Sequence, residues 1–393
     1  MRSSRALVLV TSTVLLVSCT PKVRYSLPPT VMLPVESAGI RDASKLFGAT
    51  FCSVFEEFVS QKEDGCYRYL GGLQTKQSLP QPPHTSDIEL QRYRYVLVNG
   101  FMSGCFRGSA FQVFGDADAH LATHGVKLER VMLTGMDTPE ADAEQIVNYL
   151  LSAASLTDSR PIVLVGYSKG ATDLQAAILR IQRTSPVLES RIKAFVTVAG
   201  MIGGTRLYDQ IGHPKDLAAL LSHFQFFGCP PGKRDFSSLS RQQRQNFLSL
   251  HWRELALVPT YSLCTVSTHA ETSRILWPVW DRLSVYSVDQ DGQMAEPEEL
   301  PPGAVYLGTA RADHWAVGVP LEHDRELRLL ANKNHYPRPA LLEAILRFVV
   351  ADLQKTSREL PVAAGGGRGL SRIGSEPGRA QQGGISKCQL GTR

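Results

Sequence analysis

The sequence predicts an α/β fold: a mostly parallel sheet with helices on both faces and a helical insertion late in the chain. Three observations predict it. Short apolar runs rich in β-branched residues recur, and amphipathic stretches separate them, which is the rhythm of parallel strands joined by crossover helices. One run, Pro161–Val165, ends in Gly166-Tyr167-Ser168-Lys169-Gly170, and a helical pattern with Leu174, Ala177, Ile178 and Ile181 on one face follows at once. After the apolar run Ala194–Val198 the rhythm breaks into mostly helical sequence before strands return.

At 393 residues, 43% hydrophobic and 20% charged, the chain can bury a sizeable core. Its net charge of +5 is small and spread along the chain, so no nucleic-acid partner is expected. Residues 1–19 read as a targeting segment. Arg2 and Arg5 supply a positive start, and Ala6–Val17 is an apolar stretch too short to span a bilayer comfortably. The segment closes on Leu16-Val17-Ser18-Cys19, which resembles the bacterial lipobox. That resemblance implies cleavage before Cys19 and lipid attachment to its thiol. Thr20 rather than Asp follows, which implies outer-membrane sorting in a Gram-negative cell. The expected location is the bacterial cell envelope, with the membrane as partner through a lipid anchor at Cys19.

Residues 20–40, with Pro28-Pro29 and Pro34, read as a tether. Residues 41–91 form an N-terminal extension with a helix from Ala43 to Phe58, a turn at Cys66 and a break at Leu79–Pro83. Export favours disulfides, and Cys52 with Cys66 brackets a short local loop. No CxxC or HExxH pattern is present, so neither a metal nor another cofactor is expected.

Residues 92–353 carry the main domain. Its strands are expected at Tyr95–Val98, Leu128–Leu133, Pro161–Val165, Ala194–Val198, Thr260–Val266 and Ala304–Leu307. Val285–Val288 leads into Asp289-Gln290-Asp291-Gly292, a turn just before the strand at Ala304–Leu307. Helices are expected at Ala110–His124, from Asp137 or Thr138 (N-cap) with Pro139 through Leu151, from Lys169 to about Arg183, and at Ala340–Leu353. The insertion at 203–256 has helical stretches around Leu217–Phe227 and Ser240–Leu248. It sits where a lid over a site would lie, and Phe224, Phe226 and Phe227 are candidates to line an acyl pocket. Residues 354–393 turn Gly-, Arg- and Ser-rich and read as disordered.

A serine on a strand-to-helix turn has its hydroxyl pushed out at the top of the sheet. It needs a histidine to take its proton and a carboxylate to orient that histidine. His314 lies a few residues past the strand at Ala304–Leu307, at the sheet edge where ligands bind. His323 lies in a charged stretch, and His335, beside Pro337 and Pro339, reads better as a turn residue. Asp291, before Gly292, is the candidate acid, with Asp289 the alternative. A plain turn aspartate that caps its own backbone would leave the same trace. The oxyanion needs two backbone N–H donors, for which Lys169 and Phe101 are the candidates.

Together, Asn99-Gly100-Phe101, the Ser168 turn, Asp291-Gly292 and Asp313-His314-Trp315-Ala316-Val317 resemble the α/β-hydrolase superfamily, nearest its bacterial lipase- and esterase-like members. The resemblance covers about residues 92–353 and departs from the pattern at Asn99, where many members carry His. It implies a Ser168–His314–Asp291 triad acting on an ester or lipid substrate without a cofactor. An envelope acyltransferase with the same triad, and a catalytically inactive binding lipoprotein, are the alternatives.

Overall fold

The apolar runs assemble into one seven-stranded sheet whose pairings all run parallel. The computed structural model describes residues 39–59, 65–73, 79–100, 112–133, 135, 137–152, 157–210, 237–325 and 327–359. The chain divides into two compact units, Met1–Ala351 and Asp352–Arg393, the second described only over 352–359, the last turns of the final helix.

In chain order the elements that frame the site are β1 (Arg41–Asp42), α1 (Ser44–Phe58), α2 (Asp87–Gln91), β2 (Arg94–Val98), α3 (Asp118–Thr123) and β3 (Leu128–Val131). Next come α4 (Pro139–Leu150), β4 (Ile162–Tyr167), α5 (Lys169–Thr184), α6 (Pro186–Arg191), β5 (Ile192–Val198) and α7 (Arg206–Gln210). The described elements close with α8 (Arg241–Leu255), β6 (Thr260–Val266), α9 (Trp277–Leu283), α10 (Glu296–Glu299), β7 (Val305–Arg311) and α11 (Arg338–Glu359). The strand order is β1-β7-β6-β5-β4-β2-β3. The central strands β2 and β4 are buried along their whole length, which is why they read as continuous apolar runs rather than alternating ones. One face packs against α4 and α5 through Val96, Leu164, Ile146, Leu174 and Ile178, all essentially fully buried.

Local chemistry starts the helices where the sequence puts them. Thr138 accepts from Ala141 N–H at 3.4 Å and Pro139 occupies the first helical position of α4, which sacrifices a donor that would be orphaned anyway. Ser240 caps α8 in the same way.

Several expectations change. The helix expected at Ala110–His124 is regular only over α3, because Phe114 takes a left-handed conformation (φ 51°) that no helix continues through; residues 101–111 lie outside the described set. Residues 41–91 join the main sheet: β1 pairs with β7, and Phe47 of α1 meets Phe348 of α11 edge to face, 5.9 Å between ring centres. The Cys52–Cys66 disulfide is formed, with Cα atoms 5.0 Å apart. Within the insertion, α8 packs on α5. Arg244 is buried there, donating to Ile202 O at 3.1 Å and to Gln175. Leu248 and Leu255 lie on the core. Residues 211–236, and with them Phe224, Phe226 and Phe227, lie outside the described set, as do Cys19, the tether to residue 38 and residues 360–393.

Candidate active site

Three strand ends converge on Ser168, starting with its own. β4 stops at Tyr167, Ser168 takes φ 55° and ψ −127°, and α5 begins at Lys169. A positive φ on a non-glycine residue is strained, and here it lifts the side chain off the sheet edge. The flanking glycines are explained by close approach. A Cβ on Gly166 would lie 2.5 Å from Ala171 Cα, and one on Gly170 would lie 2.3 Å from Val98 O. Neither position has room for any other residue.

β7 ends at Arg311, and the loop behind it carries His314. The Asp313 carboxylate shapes that loop, accepting from the N–H groups of Trp315 at 3.1 Å and Ala316 at 2.8 Å, and from Ser273 N–H at 2.8 Å. Burial pushes the Asp313 pKa up from the ordinary carboxylate value. Tyr167 adds a further clamp: its hydroxyl donates to His314 O at 2.5 Å and its ring lies 5.5 Å from the imidazole.

Ser168 Oγ lies 2.8 Å from His314 Nε2, and His314 Nδ1 lies 2.5 Å from Asp291 Oδ2. All three side chains are buried. With Nδ1–H given to Asp291, Nε2 is left to accept the serine proton, the tautomer a general base needs. The alternatives fall away on position: Asp289, His323 and His335 are all exposed.

Asp291 is both a turn aspartate and the partner of His314. Its Oδ1 accepts from the N–H groups of Gln293 and Met294, each at 2.8 Å, as an Asx turn does. Its Oδ2 accepts from Thr265 Oγ1 at 2.7 Å besides facing His314. Its carbonyl takes His314 N–H at 2.8 Å, which locks the two loops together.

Behind Asp291 lies a second carboxyl group, Glu299. Thr265 N–H donates to Glu299 Oε2 at 2.9 Å, and Thr265 Oγ1 lies 3.1 Å from both Glu299 oxygens. A hydroxyl has one proton, and Asp291 takes it at the shorter distance, so Glu299 completes the chain by donating to Thr265. It does so only as a neutral acid. Burial, then the Asp291 charge, holds the Glu299 pKa well above the usual carboxylate range.

The Lys169 side chain turns inward. Its ammonium donates to Asp142 at 2.5 Å and Asp173 at 2.7 Å, and all three groups are buried. Burial raises the Asp173 pKa to about 7, offset in part by the lysine. The backbone N–H of Lys169 opens α5, where the helix dipole favours negative charge. Phe101, the other proposed donor, lies outside the described residues.

Sequence reasoning brought Ser168, His314 and Asp291 to one point. It missed Thr265, Glu299 and the Asp142–Lys169–Asp173 cluster. Thr265 had a signal in its place at the C-terminal end of β6; Glu299 and Asp142, on helices remote in sequence, had none.

A parallel seven-stranded sheet with a serine elbow after β4 is the α/β-hydrolase fold. No family model matches the chain, and no curated protein sequence does. Among solved structures, the metagenomic carboxyl esterase MGS0156 is 30% identical, with a TM-score of 0.69 over 83% of this chain and 97% of that one. The chain belongs to this family of carboxyl esterases. The Bacillus licheniformis lipase BlEst2, in its mature form, is more distant (16% identity, TM-score 0.47, 65% of this chain and 91% of that one). So is EstA from Clostridium botulinum (12%, 0.44, 72% and 96%).

Proposed function

We propose that this chain is a serine hydrolase of carboxylic esters that works through Ser168, His314 and Asp291. The hydrogen-bonded run from Ser168 Oγ through His314 to Asp291 carries the reading, and the kinship to a carboxyl esterase supports it. Ser168 Oγ attacks the acyl carbon while its proton passes to His314 Nε2. The negative charge that develops on the carbonyl oxygen is met by the N–H groups of Lys169 and Phe101, each such donor contributing about 2.7–4 kcal/mol to the transition state. The ester C–O bond then breaks, and the alcohol leaves with the proton held by His314. Water, deprotonated by the same nitrogen, releases the acid and restores Ser168. Asp291 stays ionised and stabilises the imidazolium.

Labelling with a fluorophosphonate probe, combined with turnover of short acyl esters, tests the assignment. Wild type should label and turn over, and Ser168→Ala should do neither while melting at nearly the same temperature. Labelling retained by the variant would remove Ser168 as nucleophile.

The anchor belongs to the same reading: an acylated Cys19 holds the domain at the envelope membrane. The lipobox-like Leu16–Cys19 supports it, and among the described residues no helix is long and apolar enough to cross a membrane. Each buried methylene contributes about 0.8 kcal/mol, so two or more chains anchor stably. Cys19→Ser should abolish incorporation of labelled palmitate; incorporation by the variant would refute the assignment.

A further inference from the structure

We propose that His120, His124 and Glu343 form a binding site for a zinc-class divalent cation, which clamps α3 to the C-terminal helix α11. The two histidines stand four residues apart, one on α3 and one at its C-terminal cap, so both rings project to the same side. There they meet Glu343 of α11. His120 Nε2 lies 2.5 Å from Glu343 Oε2 and His124 Nε2 lies 3.4 Å from Glu343 Oε1. The three donor atoms all fall within 4.8 Å of one another. A tetrahedral zinc with bonds of about 2.0–2.1 Å sets its ligand atoms roughly 3.3 Å apart, so a small separation of His120 from Glu343 completes the fit. Two imidazoles and one carboxylate match zinc rather than calcium or magnesium, which prefer oxygen ligands throughout.

The surroundings resemble the outer shell of a metal site. His124 Nδ1 lies 3.1 Å from Asp87 Oδ1, the carboxylate contact that fixes the tautomer of a ligating histidine. Arg347 Nε donates to Glu343 Oε1 at 2.6 Å, and its Nη2 donates to Asp87 Oδ1 at 2.7 Å. Glu343 Oε2 is thereby left to His120, while Oε1 is shared between Arg347 and the side facing His124. With Nδ1–H given to Asp87, His124 Nε2 faces a carboxylate oxygen, a contact that either a metal ion or a second ring proton satisfies. Glu343 is buried, while both rings keep a partly open edge through which an ion and a fourth, water ligand enter. The site shares no residue with the Ser168 network, and its chemistry does not depend on the esterase assignment.

A competing arrangement holds the same residues by hydrogen bonds alone. Arg347 Nη2 also lies 3.2 Å from His124 Nδ1, and donation there would leave a proton on Nε2 for Glu343. The experiment separates the two. The full chain, purified in detergent and stripped with a chelator, is titrated with zinc chloride and, separately, with cobalt(II). The proposal expects one zinc per chain, a rise in melting temperature on loading, and a visible cobalt band of tetrahedral intensity. His120→Ala and His124→Ala should each weaken zinc at least 100-fold and remove the band; Asp87→Asn should weaken it 10- to 100-fold. The cobalt spectrum of wild type stands as evidence even where a variant folds poorly. Absence of zinc binding by wild type, or binding that survives His120→Ala undiminished because cysteines elsewhere hold the metal, would overturn the proposal.

Discussion

Replacing Asp291 with asparagine removes one charge and reverses the direction of two hydrogen bonds. Two backbone N–H groups, of Gln293 and Met294, point at Oδ1, so the new side-chain amide must place its oxygen there. Its NH2 group then takes the place of Oδ2, facing His314 Nδ1 and Thr265 Oγ1. An NH2 donor forces Nδ1 to accept, which moves the imidazole proton to Nε2, the nitrogen that faces Ser168 at 2.8 Å. The base is present, correctly placed and already protonated. In a serine protease the equivalent exchange lowers kcat roughly ten-thousand-fold, about 5.4 kcal/mol of transition-state stabilisation, and the same tautomer trap applies here. Thr265 adapts by accepting from the amide and donating to Glu299, so the fold survives. The assay is kcat for a short p-nitrophenyl ester, with circular-dichroism melting as the control for structure. A loss below about 30-fold in a protein that melts like wild type would show that Asp291 does not set the His314 tautomer.

Four further outcomes follow from the site and its surroundings. Glu299→Gln reproduces the neutral donor and should keep activity within about threefold. Thr265→Val removes a hydrogen bond to a charged group worth about 1.5–3 kcal/mol and should cost roughly tenfold or more in kcat; the opposite ranking would refute the protonated Glu299. Asp173 has its folded pKa raised from 3.8 to about 7, so its stabilising contribution is complete below the unfolded value and is lost as pH rises to about 7. Asp173→Asn, which does not titrate, should therefore gain in melting temperature over wild type between pH 4 and 7 and hold that gain above; a difference independent of pH would refute the assignment. His335→Ala should leave turnover near wild type because the ring is exposed.

Much of this was legible because burial writes strongly into sequence. β2 and β4 are covered on both faces and could be read as apolar runs, and the elbow glycines mark positions where a Cβ meets backbone. The reading faltered where the determinant was not periodic. β1 pairs through only two residues, too short for any pattern, although it closes the sheet edge. At the site, the three side chains of the proposed triad sit in recognisable loops. Thr265, Glu299 and Asp142 owe their positions to tertiary packing between segments far apart in sequence, which no local spacing records.

The Cys52–Cys66 bond reaches further than the helix it ties. Just beyond Cys66, Leu70 bridges to Ala310, Gly71 N–H donates to Thr309 O at 2.6 Å, and Arg311 N–H donates to Tyr69 O at 2.8 Å. These contacts grip the end of β7, the strand that delivers the His314 loop. Closing a loop of this length stabilises by about 3 kcal/mol in the chain-entropy model. The oxidation state of a pair of cysteines thus bears on the aim of a histidine more than two hundred residues away. A protein folded under reducing conditions would carry every residue of the proposed triad and still hold His314 more loosely.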